Sequence, residues 1–174
     1  MTLIYAGIGS RETPAEILEV METIAFNLAQ AGWLLRSGHA DGADLAFERA
    51  AMEGQGATEI YVPWRRFNSE YDYGANLIVP DFNKRLMDLA EAHHPAWDRC
   101  SVAAQKLHAR NCCQVLGEHL DKPADMVICW TPKGSGSGGT GQAIRIAHHF
   151  NVPVFDLGNG DNWKRLEHFV DHIN

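Results

Sequence analysis

Three short segments carry glycine, hydroxyl and guanidinium groups at spacings suited to holding an anion. The first reads Gly7-Ile8-Gly9-Ser10-Arg11-Glu12-Thr13. Its glycines let backbone approach a phosphate closely, free N–H groups can point at it, and Arg11 can grip it with two parallel hydrogen bonds. The second reads Ser37-Gly38-His39-Ala40-Asp41-Gly42-Ala43-Asp44, with Arg36 just before it. A cation in a flanked strand needs a partner, so Arg36 reads equally as half of an ion pair or as a ligand contact. His39 reads as polar surface, with acid–base or stacking roles as the sharper alternatives. The third runs from Thr131 to Gly141 through Gly134, Gly136, Gly138 and Gly139 with Thr140. It has the strongest anion-binding composition of the three. It is not a P-loop, since the GK[ST] ending that would put a lysine on the phosphates is absent. The first segment likewise carries Glu12 where a dinucleotide fingerprint has its third glycine.

Each segment sits between a short apolar run and a stretch of helical period. Strands are expected at Leu3–Gly7, Trp33–Ser37, Glu59–Val62, Asp125–Trp130 and Pro153–Phe155. In Pro14–Ala31, Ile17, Val20, Met21, Ile24, Leu28 and Ala31 recur at three- and four-residue steps, with Thr13 as N-cap and Pro14 at the first helical position. Asp41–Glu53 reads as a helix opened by Asp41, with Asp44 in its first turn near the positive end of the dipole. Gly138–Phe150 and Asn162–Ile173 complete the regular helices. Residues 63–119 are too long for a simple crossover and read as an inserted excursion over the sheet edge. Helical period resumes there near Phe82 and from Trp97 to Leu120. Within this stretch, Trp64 to Tyr73 with Arg65 and Arg66 reads as packing of the insertion or an oligomer contact, or as a stacking lid over a base.

Strand–helix alternation of this kind implies an α/β class: a three-layer Rossmann-like domain around a mostly parallel, doubly wound sheet, spanning residues 1–174 as one unit. Right-handed crossovers place the first strand centrally, the second and third on one side and the fourth and fifth on the other. The switch point then lies between strands one and four, where ligands bind in such sheets.

Charge and composition narrow the function classes. Twenty-two acidic against 15 basic residues give a net charge of −7, which argues against a general nucleic-acid backbone binder. DNA is therefore not expected as a partner. No window approaches a membrane-spanning length, the amino terminus lacks a secretory pattern, and four cysteines without CxxC spacing fit a reducing compartment, so a cytoplasmic location is expected. His93-His94, His148-His149 and the His168/His172 pair each lack enough ligands along the sequence, so neither a metal nor another cofactor is expected.

Taken with their order and strand context, Gly9-Ser10-Arg11, Ser37-Gly38-x-Ala40-Asp41-Gly42-Ala43-Asp44, Arg110-Asn111 and Gly139-Thr140 resemble the SLOG superfamily. These Rossmann-like nucleotide-sensor domains include the LOG phosphoribohydrolases, DprA and the YspA-like proteins of bacteria and phages. The YspA-like branch looks closest, through Ala40-x-Gly42-Ala43-Asp44 and Arg110-Asn111. The resemblance implies a nucleotide or nucleotide-derived ligand lined by Gly9, Ser10, Arg11, Ser37, Gly38, Asp44, Arg110, Asn111, Gly139 and Thr140, to which the loop reading adds Arg36 and Gly138. The LOG pattern PGGxGTxxE ends on a catalytic glutamate, whereas the third position after Thr140 here is Ala143. A binding or sensor module is the leading expectation. The rival is an N-glycosidase acting on nucleotides, with Asp44 or Glu12 replacing the missing carboxylate; a DprA-like DNA-binding accessory protein is the third reading.

Overall fold

The computed structural model describes residues 2–71 and 74–173. Tyr73, the last residue of the aromatic segment, lies outside the described residues. In chain order the elements are β1 (Ile4–Gly7), α1 (Ala15–Gln30), β2 (Leu34–Ser37), α2 (Ala43–Glu53), β3 (Thr58–Tyr61), β4 (Leu77–Ile78), α3 (Lys84–Ala92), α4 (Val102–Leu116), β5 (Met126–Cys129), α5 (Gly138–His149), β6 (Val154–Asp156) and α6 (Asn162–Ile173). The sheet order is β4-β3-β2-β1-β5-β6, and every pairing is parallel. This is the expected α/β Rossmann-like sheet, with an added edge strand.

Period-two alternation divides the strands between two cores. Tyr5, Met126 and Ile128 pack with Met21, Ala25 and Phe47 of α1 and α2 and with Leu166 of α6. Ile4, Ala6, Val127 and Cys129 face the other way, onto Leu86 of α3, Ala109 and Val115 of α4 and Ile146 of α5. Each large apolar side chain buried in this way contributes about 1.5–3 kcal/mol, so the sheet is held from both sides. Helices leave β1 and β5 on opposite faces, which opens a crevice beyond their carboxyl ends.

The stretch 63–119 is more than an excursion over the edge. It supplies edge strand β4, with Ile60 opposite Leu77, and then α3 and α4, which cover one sheet face. Two residues are too few to produce an alternating pattern, which is why β4 has no sequence signal. Helix α4 starts at Ser101, whose side chain accepts from the Ala104 amide at 3.2 Å. Its second half, from Ala109 to Leu116, is buried throughout. It stops at Gly117 (φ 82°), where a Cβ would meet the Arg36 guanidinium at 2.9 Å.

Two capping expectations shift. Pro14, not Thr13, occupies the N-cap of α1, and Thr13 Oγ1 instead donates to the Ser10 carbonyl at 2.7 Å. Gly42 (φ 81°), not Asp41, occupies the N-cap of α2, because a side chain there would collide with the Ser10 carbonyl and the Arg11 backbone.

Candidate functional site

A cavity of about 430 Å³ opens at the switch point. The loop after β1, the N-terminus of α5 and the inner face of α4 line it. Of the expected residues, Gly9, Ser10, Arg11, Asp44, Arg110, Asn111, Gly138, Gly139 and Thr140 line this cavity, as does Glu12. Arg36, Ser37 and Gly38 do not.

Each of these three has a structural task instead. Arg36 is buried, with Nε donating to Glu59 at 2.7 Å and Nη1 to the Lys122 carbonyl at 2.6 Å. The ion-pair alternative therefore describes it, and its ligand role is withdrawn. Ser37 Oγ donates to the Gly7 carbonyl at 2.6 Å, tying β2 to β1. Gly38 leaves room for Arg110, since a Cβ would lie 1.2 Å from its Nη1. His39 is not polar surface. It is 1% exposed, with Nδ1 donating to Glu48 at 2.7 Å and Nε2 to the Asn68 carbonyl at 3.2 Å. Burial opposes its charge, but the hydrogen bond and charge of Glu48 and the Asn68 and Tyr71 carbonyls outweigh it and raise its pKa.

The backbone amides of the first two loops are largely spent within the protein. Asp44 accepts from Gly9 at 3.2 Å and from Ala40 at 3.4 Å, and Ser10 Oγ accepts from Glu12 at 3.0 Å. With its side-chain amide turned to satisfy both ends, Gln114 accepts from Gly38 at 3.0 Å and donates to Asn111 at 3.0 Å. Gly9 serves packing too, since a Cβ there would stand 2.6 Å from that of Ala43. Of the first loop, the Ser10 and Arg11 amides donate to no described residue.

The third loop is built differently. Asp156, at the end of β6, accepts from the Thr131 amide at 2.9 Å, from the Thr131 hydroxyl and from the Gly158 amide at 3.0 Å. Thr131 Oγ1 in turn accepts from the Gly136 amide at 2.9 Å. Gly141 allows the loop to close, since a Cβ would come within 2.0 Å of the Gly136 carbonyl. Ser137 offers α5 no side-chain cap, and the Gly141 amide donates to the Ser137 carbonyl at 3.2 Å across the start of the helix. The Gly138, Gly139 and Thr140 amides are left to the cavity, at the positive end of the helix. A Cβ on Gly138 or Gly139 would meet nothing within 4 Å, so these two positions face open space.

Two cations add to this field. Arg110 is buried, and Nη1 reaches Asp44 Oδ2 and the Tyr61 carbonyl, each at 3.4 Å, while its guanidinium lies 5.9 Å from the Phe67 ring. Burial lowers its pKa, Asp44 opposes that and Arg11 reinforces it; a guanidinium nevertheless stays charged in proteins. Burial likewise raises the Asp44 carboxyl, against the pull of Arg110 and the two amides. Arg110 Nε has no partner among the described residues. Arg11 thus adds its charge to that of Arg110, which Asp44 partly offsets, and Glu12 also lines the cavity. On the same side, His108 Nδ1 meets Gln142 Oε1 at 3.0 Å, and desolvation first, then His94, lowers its pKa.

Sequence reasoning missed Gln114, Gln142 and Asp156. Polar residues interleaved with Cys112, Cys113, Val115 and Leu116 were the available signal for Gln114. Asp156 had one as well, as an acidic residue ending an apolar strand.

Residues 2–88 match the family described as DNA recombination-mediator protein A. The chain belongs to this family. The fold is shared with the Chlamydomonas rheinhardtii Moco carrier protein, at 16% identity and a TM-score of 0.56, covering 88% of this chain and 74% of that one. It is also shared with DNA processing protein A from Helicobacter pylori, described as having a unique single-stranded DNA binding mode. That likeness has 21% identity and a TM-score of 0.60, and covers 88% of this chain but 64% of the Helicobacter chain. No curated protein matches the chain. The SLOG resemblance agrees with these findings. The expectation that DNA is no partner does not survive them, because the family is that of a DNA recombination mediator. The net charge averages over the whole surface, whereas recognition depends on local charge. No helix among the described residues is long and apolar enough to cross a membrane.

Proposed function

We propose that the cavity binds a nucleotide or nucleotide-derived ligand through its phosphate, held against the uncapped start of α5 and the guanidinium groups of Arg11 and Arg110. The observation that carries this reading is the convergence of the Gly138, Gly139 and Thr140 amides with two cations on one hollow of about 430 Å³, a volume ordinary for small-ligand sites. Binding without cleavage is the reading we favour. Ala143 offers no carboxylate, and Asp44 is occupied by Gly9, Ala40 and Arg110. Within the SLOG superfamily, Arg110-Asn111 beside Asp44 supports the YspA-like branch.

Calorimetric titration with a panel of nucleoside mono- and diphosphates tests this. A charge-assisted hydrogen bond contributes about 1.5–3 kcal/mol, so Arg11→Ala should weaken the best ligand about tenfold or more. Failure of the whole panel to bind overturns the reading.

Family membership favours a second form of the same chemistry, in which the phosphate belongs to single-stranded DNA. Trp64 and Tyr71 are exposed beyond the end of β3, and with Arg65 and Arg66 they offer stacking surfaces and charge for flanking nucleotides. Anisotropy of a labelled oligodeoxynucleotide separates the forms. A salt-dependent signal lost in Trp64→Ala supports the strand, and binding of mononucleotides alone supports the small ligand.

A further inference from the structure

At the edge of the anion site, the fold brings together three side chains of metal-ligating type from one stretch of 15 residues, His94 to His108. His94 follows the end of α3, Cys100 follows a single 3-10 turn at Trp97–Arg99, and His108 lies on α4. One donor atom from each lies within 4.8 Å of the other two. Cys100 Sγ is 3.9 Å from both ring nitrogens of His94, and the rings of His94 and His108 stand 4.2 Å apart between centroids. A tetrahedral zinc ion with ordinary bond lengths of about 2.0–2.3 Å needs donor separations of about 3.3–3.6 Å, so side-chain rotation alone can close the set.

The orientation of His108 is fixed from behind. Gln142 Nε2 donates to the Ala90 carbonyl at 2.9 Å, and Asn111 Nδ2 donates to Gln142 Oε1 at 3.1 Å, so the Gln142 oxygen faces His108. Nδ1 of His108 must then be the donor in its 3.0 Å bond to that oxygen, which leaves a lone pair on Nε2. An imidazole whose far nitrogen donates to a carbonyl oxygen is the usual arrangement of a metal-ligating histidine. His94 Nδ1 accepts from the Ala96 amide at 3.2 Å, a long bond that coordination would replace. His94 also opens on a second hollow lined by Glu91 and Asp98, besides Arg99, which gives a cation an acidic approach.

We propose that His94, Cys100 and His108 bind one borderline-soft divalent ion, of the zinc class, through two imidazole nitrogens and a thiolate. Three protein donors leave a fourth position for water or for a donor from a bound molecule. Because His108 also lines the anion cavity, the ion would sit in the wall between the two hollows and pin the segment after α3 to α4.

The test uses the full chain, stripped by chelator and reduced, titrated with cobalt(II) chloride and then displaced by zinc(II), with no nucleotide present. The expected result is one equivalent with a thiolate-to-cobalt charge-transfer band. Cys100→Ser should abolish the band, and His108→Asn should weaken zinc affinity about tenfold or more, with both variants folded by circular dichroism. Replacing the exposed pair His168→Ala/His172→Ala should leave both signals intact. A wild-type chain without a saturable band overturns the proposal. So does a band that persists in Cys100→Ser, or one lost only when His168 and His172 are replaced.

Discussion

Replacing Asp44 by asparagine keeps the shape of the side chain and removes its charge, which isolates what that carboxylate does. It is 3% exposed and accepts from Gly9, Ala40 and Arg110, one from each of three segments that meet at the cavity. Breaking a buried pair by removing one partner costs about 3–5 kcal/mol, because the other charge is left uncompensated. The 3.4 Å contact is long, and Arg110 keeps the Tyr61 carbonyl and Gln114, so the low end, about 3 kcal/mol, is the expected loss. For a domain of this size that is a fall in Tm of about 6–12 °C. Removing both charges in Asp44→Asn/Arg110→Met should cost less than the sum of the single changes, since neither partner is then left charged and alone. Urea denaturation of the four proteins gives the cycle directly. Additive single effects, or a loss below about 1 kcal/mol in Asp44→Asn, would refute the view that this pair organises the loops.

Two further outcomes follow from the same geometry. His39 has a raised pKa in the fold, so the stability it contributes is complete below its ordinary value of 6.5 and is lost as pH rises through the raised value. Denaturation at stepped pH should therefore show wild type losing up to about 1.4 kcal/mol per pH unit relative to His39→Gln across that window, and parallel curves would dismiss the His39–Glu48 pair as the cause. The glycines should separate by role: Gly9→Ala drives a methyl to 2.6 Å from Ala43 and should cost about 1–3 kcal/mol of stability, whereas Gly139→Ala meets nothing within 4 Å and should spare folding while weakening ligand binding. Thermal melts beside calorimetry distinguish them, and equal melting losses would contradict the assignment.

Strand–helix alternation was enough to place five of the six strands and their order, because each runs for three or four residues with apolar side chains between turn signals. β4 was invisible at two residues, Leu77 and Ile78, since no period can be read from a pair. The glycine clusters located all three loops, but composition does not reveal what a missing Cβ makes room for. Gly9 and Gly38 admit Ala43 and Arg110, and only Gly138 and Gly139 stand open to the cavity. His39 and Arg36 were misjudged or left open for a related reason. Their partners, Glu48 and Glu59, are nine and 23 residues away, and only tertiary structure brings them together. His94, Cys100 and His108 are near in sequence, but their steps of six and eight residues match no recognised ligand spacing.

Backbone amide shifts followed by ¹H–¹⁵N NMR during titration with a nucleoside monophosphate test the central claim most directly. The amides of Gly138, Gly139 and Thr140 should move together with those of Ser10 and Arg11, while those of Gly38 and Ala40, already held inside the protein, stay in place. Perturbation centred on the second loop, or a saturating ligand that leaves the start of α5 unmoved, would contradict it.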